Sequence, residues 1–386
     1  MIKRWLSIDP DKSILMIGPR RAGKTTLLKQ RFSDYSYFTL DDLDYLDWAK
    51  RDPKGFILAA GQNAVIDEIQ RFPGLTVAVK HAIDNHGAVF MMTGSSSIGL
   101  LDASADTLAG RIDMLSLPTL CWGEETGAPS HRLFKDQANP IQIKEADRGL
   151  KNSILYGHFP EVICEKDCDS RSKILRNYKN TYFTRDLMQL ANIENLEGLL
   201  AILINLARSV GSHLEVSNFA REAGVSHPTA KKYLNTLLQS QLTFRLYGYQ
   251  YGPAKRYIKA AKTYFSDNGI IHSLNVSLNE GQLLENFVIA ELEKRRKLGY
   301  IRADQFFYYK STSGREIDLI FETEDEVYAI EIKATAKPGP RDVRSLIEFG
   351  KSLKQPTQLF LFYQGTEYRS LGEVKLIPIA SLYKAA

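Results

Sequence analysis

The chain has 386 residues, of which 44% are hydrophobic and 25% charged, and its net charge is +5 with a pI near 8.8. This length exceeds one ordinary core and predicts two or three folded domains, while the mild basic excess permits a polyanionic partner such as DNA without requiring one. The three cysteines, Cys121, Cys164 and Cys168, argue against a disulfide framework, and no second Cys or His pair at zinc spacing follows them. Because we find neither a signal-peptide pattern nor an apolar run long enough to span a bilayer, we expect a cytoplasmic protein without a membrane partner.

Residues 1 to about 125 alternate between predicted strands and helices. Ile14–Ile17, 64–66 and 89–92 are short continuous apolar runs, which are typical of parallel strands covered on both faces. A helical pattern over 76–85 lies between two of them. The pattern predicts an α/β fold with a parallel sheet for this part of the chain.

A glycine-rich segment follows the first predicted strand. Residues 18–25 read Gly-Pro-Arg-Arg-Ala-Gly-Lys-Thr and match the P-loop pattern G-x-x-x-x-G-K-[ST] in full. A strand, this loop and a helix in that order direct backbone N–H groups and a helix N-terminus at phosphates. We expect Lys24 to reach the β- and γ-phosphates and the Thr25 hydroxyl to ligate Mg²⁺, so the sequence predicts binding of ATP with Mg²⁺. The expected nucleotide-binding residues are Gly18, Pro19, Arg20, Arg21, Ala22, Gly23, Lys24, Thr25 and Thr26.

Two carboxylates end the next apolar strand. Asp67 and Glu68 follow Ala64-Val65-Ile66, and ligands of doubly wound sheets bind at the carboxyl ends of the strands. We expect Asp67 to hold Mg²⁺ through its water shell and Glu68 to orient or deprotonate the attacking water. The alternative is a solvated turn, which the complete P-loop upstream disfavours.

Polar residues also follow the third predicted strand. Thr93 or Ser95 would sense the γ-phosphate or position water, although a hydroxyl-rich loop also caps the helix after it. Arg111, in Ala109-Gly110-Arg111, is the best candidate for an arginine that contacts the γ-phosphate in cis or from a neighbouring subunit. Its alternative is an ordinary surface arginine.

The middle of the chain reads as helical after a loop at 122–139. Residues 145–210 carry helical patterns, and 216–234 have the form of a helix-turn-helix with Gly224 in the turn. In its second helix Thr229, Lys231 and Lys232 lie where bases and phosphates are contacted, and 241–249 would supply a wing. Contact with DNA and contact with protein both remain open, because two lysines neutralise few phosphates.

The C-terminal part carries a pattern of paired carboxylates. A helix is predicted near 281–297, and strands are predicted at 306–309, 316–321, 327–333 and 358–362. Strand alternation puts Glu331 and Lys333 on one face, with Asp318 on the neighbouring strand and Glu285 on the preceding helix. This D…E-x-K spacing is typical of a Mg²⁺ site that hydrolyses phosphodiesters, and its alternative is an amphipathic hairpin with its charges in water.

Together these motifs resemble the bacterial and archaeal AAA-type ATPases whose C-terminal half is a domain of unknown function. The resemblance covers nearly the whole chain and rests on residues 18–28, 66–70, 93–96, 109–111, 182–187, 264–269, 281–288 and 331–333. It implies an AAA-type ATPase domain over 1–140, a helical and winged-helix domain over 141–255, and a restriction-endonuclease-like domain over 256–386. A ring or dimer, or a protein partner, is compatible with this class.

Three functions remain in competition at this point. The first is a Mg²⁺-dependent ATPase that couples its nucleotide state to DNA engagement by the later domains. The second is a metal-dependent nuclease gated by ATP. The third is an ATP-binding regulator or scaffold for a protein partner, without nucleic-acid chemistry.

Overall fold

The computed structural model describes residues 2–95, 108–187, 193–250, 261–311 and 314–386. The predicted boundary between residues 255 and 256 lies outside these ranges, as does Ser96 of the resemblance. Within them, no helix is both long enough and apolar enough to cross a bilayer.

The first part of the chain forms a parallel sheet. Its described strands are β1 (Ile14–Ile17), β2 (Ser36–Thr39), β3 (Asn63–Asp67), β4 (Val89–Gly94) and β5 (Asp113–Ser116). They lie in the order β2-β3-β4-β1-β5, and every pair is parallel. The α/β fold and the three predicted apolar strands are confirmed. Because β1 lies between β4 and β5, the loop that follows it begins at the carboxyl end of an interior strand.

Helices cover both faces of this sheet. They are α1 (Lys24–Arg31), α2 (Leu43–Arg51), α3 (Pro53–Ala60) and α4 (Leu75–His86). Leu15 and Ile17 pack into one hydrophobic cluster, and Ile14 and Met16 pack into another on the opposite face. This two-sided burial is the reason that β1 reads as a continuous apolar run.

The middle of the chain is helical, as predicted. Its helices are α5 (Pro140–Tyr156), α6 (Pro160–Cys164), α7 (Cys168–Tyr178), α8 (Leu196–Arg208), α9 (Val216–Glu222) and α10 (His227–Gln239). A π-helical stretch, Lys179–Asp186, continues directly from α7. Leu199 and Ile202 of α8 belong to the same hydrophobic cluster as Phe287 and Phe360. The helical segment and the C-terminal part therefore share one core.

The C-terminal part is built around a mixed sheet. Its described strands are β6 (Thr243–Gly248), β7 (Lys262–Phe265), β8 (Phe307–Lys310), β9 (Glu316–Glu322), β10 (Val327–Lys333), β11 (Thr357–Tyr363), β12 (Arg369–Leu371) and β13 (Val374–Pro378). The helices are α11 (Asn268–Ser273), α12 (Glu280–Lys297) and α13 (Arg344–Ser352). The strand order is β12-β13-β11-β10-β9-β8-β6-β7.

The segment predicted as a wing is part of this larger sheet. Strand β6 pairs antiparallel with β7 and parallel with β8. Leu246 of β6 is fully buried in the shared core. The sheet therefore crosses the predicted boundary between the middle and C-terminal domains.

Candidate nucleotide site and carboxylate cluster

The P-loop carries a buried cation at its centre. Gly23 adopts φ 94°, in the left-handed region that favours glycine, and immediately precedes α1. This turn places Lys24 inside the loop, where its Nζ donates to the carbonyl oxygens of Gly18 at 2.8 Å and Pro19 at 3.1 Å. Ala22 is buried with Lys24, whereas Arg21 and Thr26 are exposed.

Burial makes the charge of Lys24 costly. Desolvation lowers the pKa of Lys24 to about 8, against the opposing attraction of Glu68 and Asp67, and Arg20 lowers it further. The hydrogen-bond partners of the ammonium group are neutral carbonyl groups rather than a carboxylate. An anion bound in the loop would therefore stabilise the charged form of Lys24.

Asp67, at the end of β3, accepts hydrogen bonds from three hydroxyl groups. Thr25 lies 2.9 and 3.0 Å from its two carboxylate oxygens, the Tyr37 hydroxyl lies at 2.7 Å, and Thr93 also donates to it. The predicted P-loop threonine and strand-end aspartate are thus brought together across the carboxyl edge of the sheet. Tyr37, on β2, was not predicted.

Glu68 is held by its neighbours in an unusual backbone conformation. It has φ 58°, and its N–H donates to Thr93 Oγ1 at 3.1 Å. The buried Gln70 side chain donates from Nε2 both to Glu68 and to Ser95 Oγ, the latter at 2.9 Å. Thr93, Ser95 and Glu68 are therefore joined in one network, as their shared strand edge predicts. Gln70 was not singled out as a site residue, although it stands two residues after the predicted carboxylate.

Arg111 lies away from the P-loop of its own chain. Its Nε donates to Asp84 Oδ1 of α4 at 2.6 Å. It precedes β5 at the amino edge of the strands, since Asp113 pairs with Ile14 at the start of β1. The structure therefore does not bring Arg111 to the loop in cis. A contact from a neighbouring subunit stays a prediction.

Two arginines near the loop connect it to other parts of the chain. Arg21 Nη1 lies 3.2 Å from Glu161 Oε2 of α6. Arg4, which the sequence analysis missed, is buried, and it donates to the Ala22 carbonyl at 2.7 Å and to Glu124 Oε1 at 2.9 Å. No sequence pattern marked Arg4, because its partners lie 18 and 120 residues away.

The helix-turn-helix is present, with an exposed outer face. Ser226 caps α10 by accepting from the Thr229 N–H at 3.2 Å, and its hydroxyl also bonds the Thr229 hydroxyl. Lys231 and Lys232 are exposed, and Thr229 is half-buried. The second helix therefore presents its two lysines to solvent, while its apolar face packs into the core.

The predicted C-terminal carboxylates share one buried region. Glu285 Oε1 accepts from the Tyr264 hydroxyl at 2.7 Å, and Asp318 Oδ2 accepts from the Ile332 N–H at 2.8 Å. Glu331 is ion-paired with Lys333 on the same face of β10, as strand alternation predicts. Within this ion pair the Lys333 side chain is 36% exposed and that of Glu331 only 8%.

Burial raises the pKa values of all three acids, and the charge of Asp318 adds to the rise at Glu285 and Glu331. The pKa of Glu285 rises to about 7 through desolvation and the charge of Asp318, which Lys262 partly offsets. The pKa of Asp318 is raised by burial, and that of Glu331 is raised well above its usual value by burial and Asp318. Such a cluster would be stabilised by an added positive charge.

The same cluster does not form a metal site as its side chains stand. Among the described residues, no three His, Cys, Asp or Glu side chains are arranged to hold one metal ion. Glu331 Oε2 is buried and finds no hydrogen-bond partner in that part of the chain. The predicted ligands Glu285, Asp318 and Glu331 are therefore neighbours, but they do not surround a common point.

Comparison with protein families identifies the class of the first domain. Residues 10–125 match the AAA domain family, residues 147–281 match a domain of unknown function (DUF8612), and residues 280–382 match another (DUF4143). The chain thus carries an AAA-type P-loop domain and a C-terminal domain of unknown function. The restriction-endonuclease-like nature of the latter stays a prediction.

The curated relatives span most of the chain. The uncharacterized protein MJ1544 of Methanocaldococcus jannaschii is 27% identical over 364 residues, which are 90% of this chain and 81% of the relative. The uncharacterized protein Rv2008c of Mycobacterium tuberculosis is 25% identical over 86% of this chain and 73% of its own length. Sequence similarity to proteins of an archaeon and a bacterium therefore extends over most of this chain.

Among solved structures, a signal transduction ATPase with numerous domains (STAND) from Pyrococcus horikoshii, with a tetratricopeptide repeat sensor, is similar at 12% identity. The match covers 77% of this chain but only 46% of that chain, with a TM-score of 0.24.

Proposed function

We propose that this protein is a Mg²⁺-dependent ATPase whose nucleotide state controls engagement of DNA by its later domains. One observation carries the ATPase proposal: a buried lysine with neutral hydrogen-bond partners lies in a P-loop, opposite a strand-end aspartate bonded to the P-loop threonine. A triphosphate would supply the negative charge that Lys24 lacks. The match of residues 10–125 to the AAA domain family supports the same class.

The residues of the loop have distinct roles in this proposal. The backbone N–H groups at the start of α1 would bind phosphate oxygens, and Lys24 would contact the β- and γ-phosphates. Thr25, together with Asp67 acting through water, would hold Mg²⁺, which when bound supplies charge neutralisation on the phosphate oxygens. The existing bond between Thr25 and Asp67 fits this role, because both groups already meet at one point.

Glu68 would orient or deprotonate the water that attacks the γ-phosphate. Its carboxylate is held by Gln70, which also bonds Ser95, while Thr93 bonds both Asp67 and the Glu68 N–H. This network links the ends of β3 and β4. Hydrolysis or loss of the γ-phosphate would therefore alter hydrogen bonds at the ends of both β3 and β4.

DNA engagement is the finer part of the proposal. Lys231 and Lys232 are exposed on the second helix of a helix-turn-helix, where phosphates and bases are contacted in such motifs. Two lysines neutralise few phosphates, so we expect weak binding whose affinity falls only gently with salt, with a slope of roughly −2 in log K against log salt concentration.

ATP turnover measured with and without duplex and single-stranded DNA, at fixed low and physiological salt, tests both parts. We expect Mg²⁺-dependent hydrolysis that Lys24→Ala lowers about 10²-fold or more. Lys50→Ala, which removes an exposed lysine of α2, is the matched control and should leave turnover unchanged. Turnover that survives Lys24→Ala would refute the ATPase. If DNA still stimulates turnover in Lys231→Ala and Lys232→Ala, the role of the helix-turn-helix is refuted. If the protein binds ATP but neither hydrolyses it nor binds DNA, a regulator or scaffold is favoured.

Metal-dependent cleavage of DNA is a second candidate function, favoured by the raised pKa values of the buried acids beside Lys333. A plasmid-nicking assay with Mg²⁺ or Mn²⁺ tests it. Asp318→Asn and Glu331→Gln should abolish nicking, whereas Glu324→Gln, on the exposed turn between β9 and β10, should not. If the first two variants nick as well as the parent protein, this candidate is excluded.

A further inference from the structure

A polar cleft lies where the three parts of the chain meet. Its volume is about 500 Å³, which is within the range of small-molecule sites. One wall is the edge strand β5, at Met114 and Ser116. The other walls are β6 with the end of α10, and the last turns of α12. No lining residue belongs to the P-loop or to the carboxylate cluster.

The cleft carries an excess of positive charge. Arg245, Arg296 and Lys297 line it, opposed by one carboxylate, Glu293. Glu293 already accepts hydrogen bonds from Arg296 Nε and Nη2, at 2.7 Å each. Lys297 donates to the neutral Gln241 Oε1 at 2.8 Å. In the part of the chain that the structure describes, no carboxylate pairs with Arg245 or Lys297.

Two polar atoms on the β6 wall also lack partners. Thr243 and Arg245 are two residues apart on one strand, so both point to the same face. Thr243 is 4% exposed, and its Oγ1 has no hydrogen-bond partner among the described residues. Within the same ranges, the buried Arg245 Nε has none either. Buried polar groups normally have hydrogen-bond partners, so a ligand that supplies acceptors to these two donors would satisfy them.

The chemistry of the lining defines the ligand. Two unneutralised cations and a hydroxyl donor match a phosphate group, which accepts charge-assisted hydrogen bonds. Desolvation lowers the pKa of Lys297, and a bound anion would offset this cost. Leu238 and Tyr247 add apolar surface for the remainder of a small molecule. The volume suits one nucleotide rather than a long polymer.

We propose that this cleft binds a phosphorylated small molecule of nucleotide size, through Arg245, Lys297 and Thr243, at a site separate from the P-loop. Because β5, β6 and α12 all contribute to it, the ligand would contact the ATPase domain, the helix-turn-helix segment and the C-terminal part together. The site does not depend on the ATPase proposal.

Calorimetric titration of the full-length Lys24→Ala protein with inorganic pyrophosphate and with AMP, at about 0.15 M salt, tests the site with the P-loop lysine removed. We expect at least one probe to bind. Arg245→Gln and Lys297→Gln, each added to this background, should weaken binding about tenfold or more, because each removes a charge-assisted bond. Thr243→Val keeps the shape of the side chain and should weaken it about threefold or more.

Lys375→Gln is the matched control, since Lys375 also bonds a glutamine, Gln358, on the sheet outside this cleft. It should leave the affinity unchanged. The proposal fails if neither probe binds, or if binding is indifferent to all three cleft variants. It also fails if a twelve-residue thymidine oligonucleotide binds at the cleft while both small probes do not. Thermal melting of each variant shows whether it folds. If Arg245→Gln or Lys297→Gln does not fold, the effect of Thr243→Val on probe affinity decides the proposal.

Discussion

At the scale of single residues, the charge of Lys24 makes nucleotide binding dependent on pH. Burial holds its pKa at about 8, so above this pH the free protein loses the proton. A bound triphosphate favours the ammonium form and raises the pKa. Binding above pH 8 therefore requires proton uptake, and we expect affinity to be level below about pH 7.5 and to fall by up to tenfold per pH unit above 8.

Calorimetry of ATP binding between pH 7 and 9.5, in two buffers of different ionisation enthalpy, measures both the fall in affinity and the protons taken up. Lys24→Arg is the control, because its guanidinium stays charged throughout this range. Its affinity should be lower than that of the parent protein but independent of pH. A level profile for the parent protein would contradict the proposed state of Lys24.

In the proposed mechanism, Gln70 positions Glu68 and does not itself contact the nucleotide. Gln70→Leu removes the bonds to Glu68 and Ser95 while keeping most of the volume. Since a well-placed general base contributes about 10²–10⁴-fold, we expect kcat to fall about tenfold or more, with KM within about twofold. Steady-state ATPase kinetics measure this separation. An unchanged or higher kcat would show that Gln70 does not position the carboxylate for catalysis.

Lys24, Thr25, Asp67 and Glu68 could be predicted from the sequence as neighbours in one site. Each belongs to a local motif, and a parallel sheet brings the carboxyl ends of its strands to one edge. Their proximity is seen in the bond between Thr25 and Asp67, while their catalytic roles stay predictions. Tyr37 could not be predicted in the same way, because its contact depends on β2 lying next to β3.

At the scale of elements, the bounds of several strands were predicted closely, and β1 (Ile14–Ile17) has the bounds of the predicted apolar run. Predicted strands at 316–321 and 327–333 agree with β9 (Glu316–Glu322) and β10 (Val327–Lys333) within one residue. The place of β6 was not predictable, since its partner β8 is about sixty residues further along the chain. Pairing over that separation depends on the shared core rather than on a local pattern.

Glu285, on α12, gives an element-scale prediction about stability. The raised pKa near 7, against 4.5 for the ordinary group, means that its ionised form destabilises the folded protein. That cost is complete above pH 7 and is relieved as the pH falls toward 4.5. Glu285→Gln should therefore stabilise the protein by about 1–3 kcal/mol at pH 8, and by much less at pH 5.5.

Urea unfolding at the two pH values measures the gain. Glu280→Gln, an exposed position in the first turn of the same helix, is the control and should change stability by less than about 0.5 kcal/mol. Equal effects of Glu285→Gln at both pH values would mean that burial and the neighbouring acids do not raise the pKa of Glu285.

At the scale of the whole molecule, a buried polar network joins the ATPase domain to the C-terminal part. Lys294 Nζ donates to the Leu120 carbonyl at 3.0 Å, to Asp267 at 3.1 Å and to Glu291 at 2.9 Å. The segment holding Leu120 also holds Glu124, the partner of Arg4, which contacts the P-loop. The nucleotide loop is therefore connected to α12 through Arg4, the chain segment 120–124 and Lys294, whose hydrogen bonds all involve buried groups.

Lys294→Met tests how much this junction stabilises the protein. The change keeps the length of the side chain but leaves Asp267 and Glu291 with one partner fewer, and breaking a buried ion pair on one side costs about 3–5 kcal/mol. We expect a loss of this size in urea unfolding, and little change for the exposed control Lys151→Met. The double variant Lys294→Met with Glu291→Gln should be less destabilised than the sum of the two single changes, because it removes a charge that the first change left uncompensated. Strict additivity would mean that Lys294 and Glu291 act independently, and that the junction is held by packing rather than by its charges.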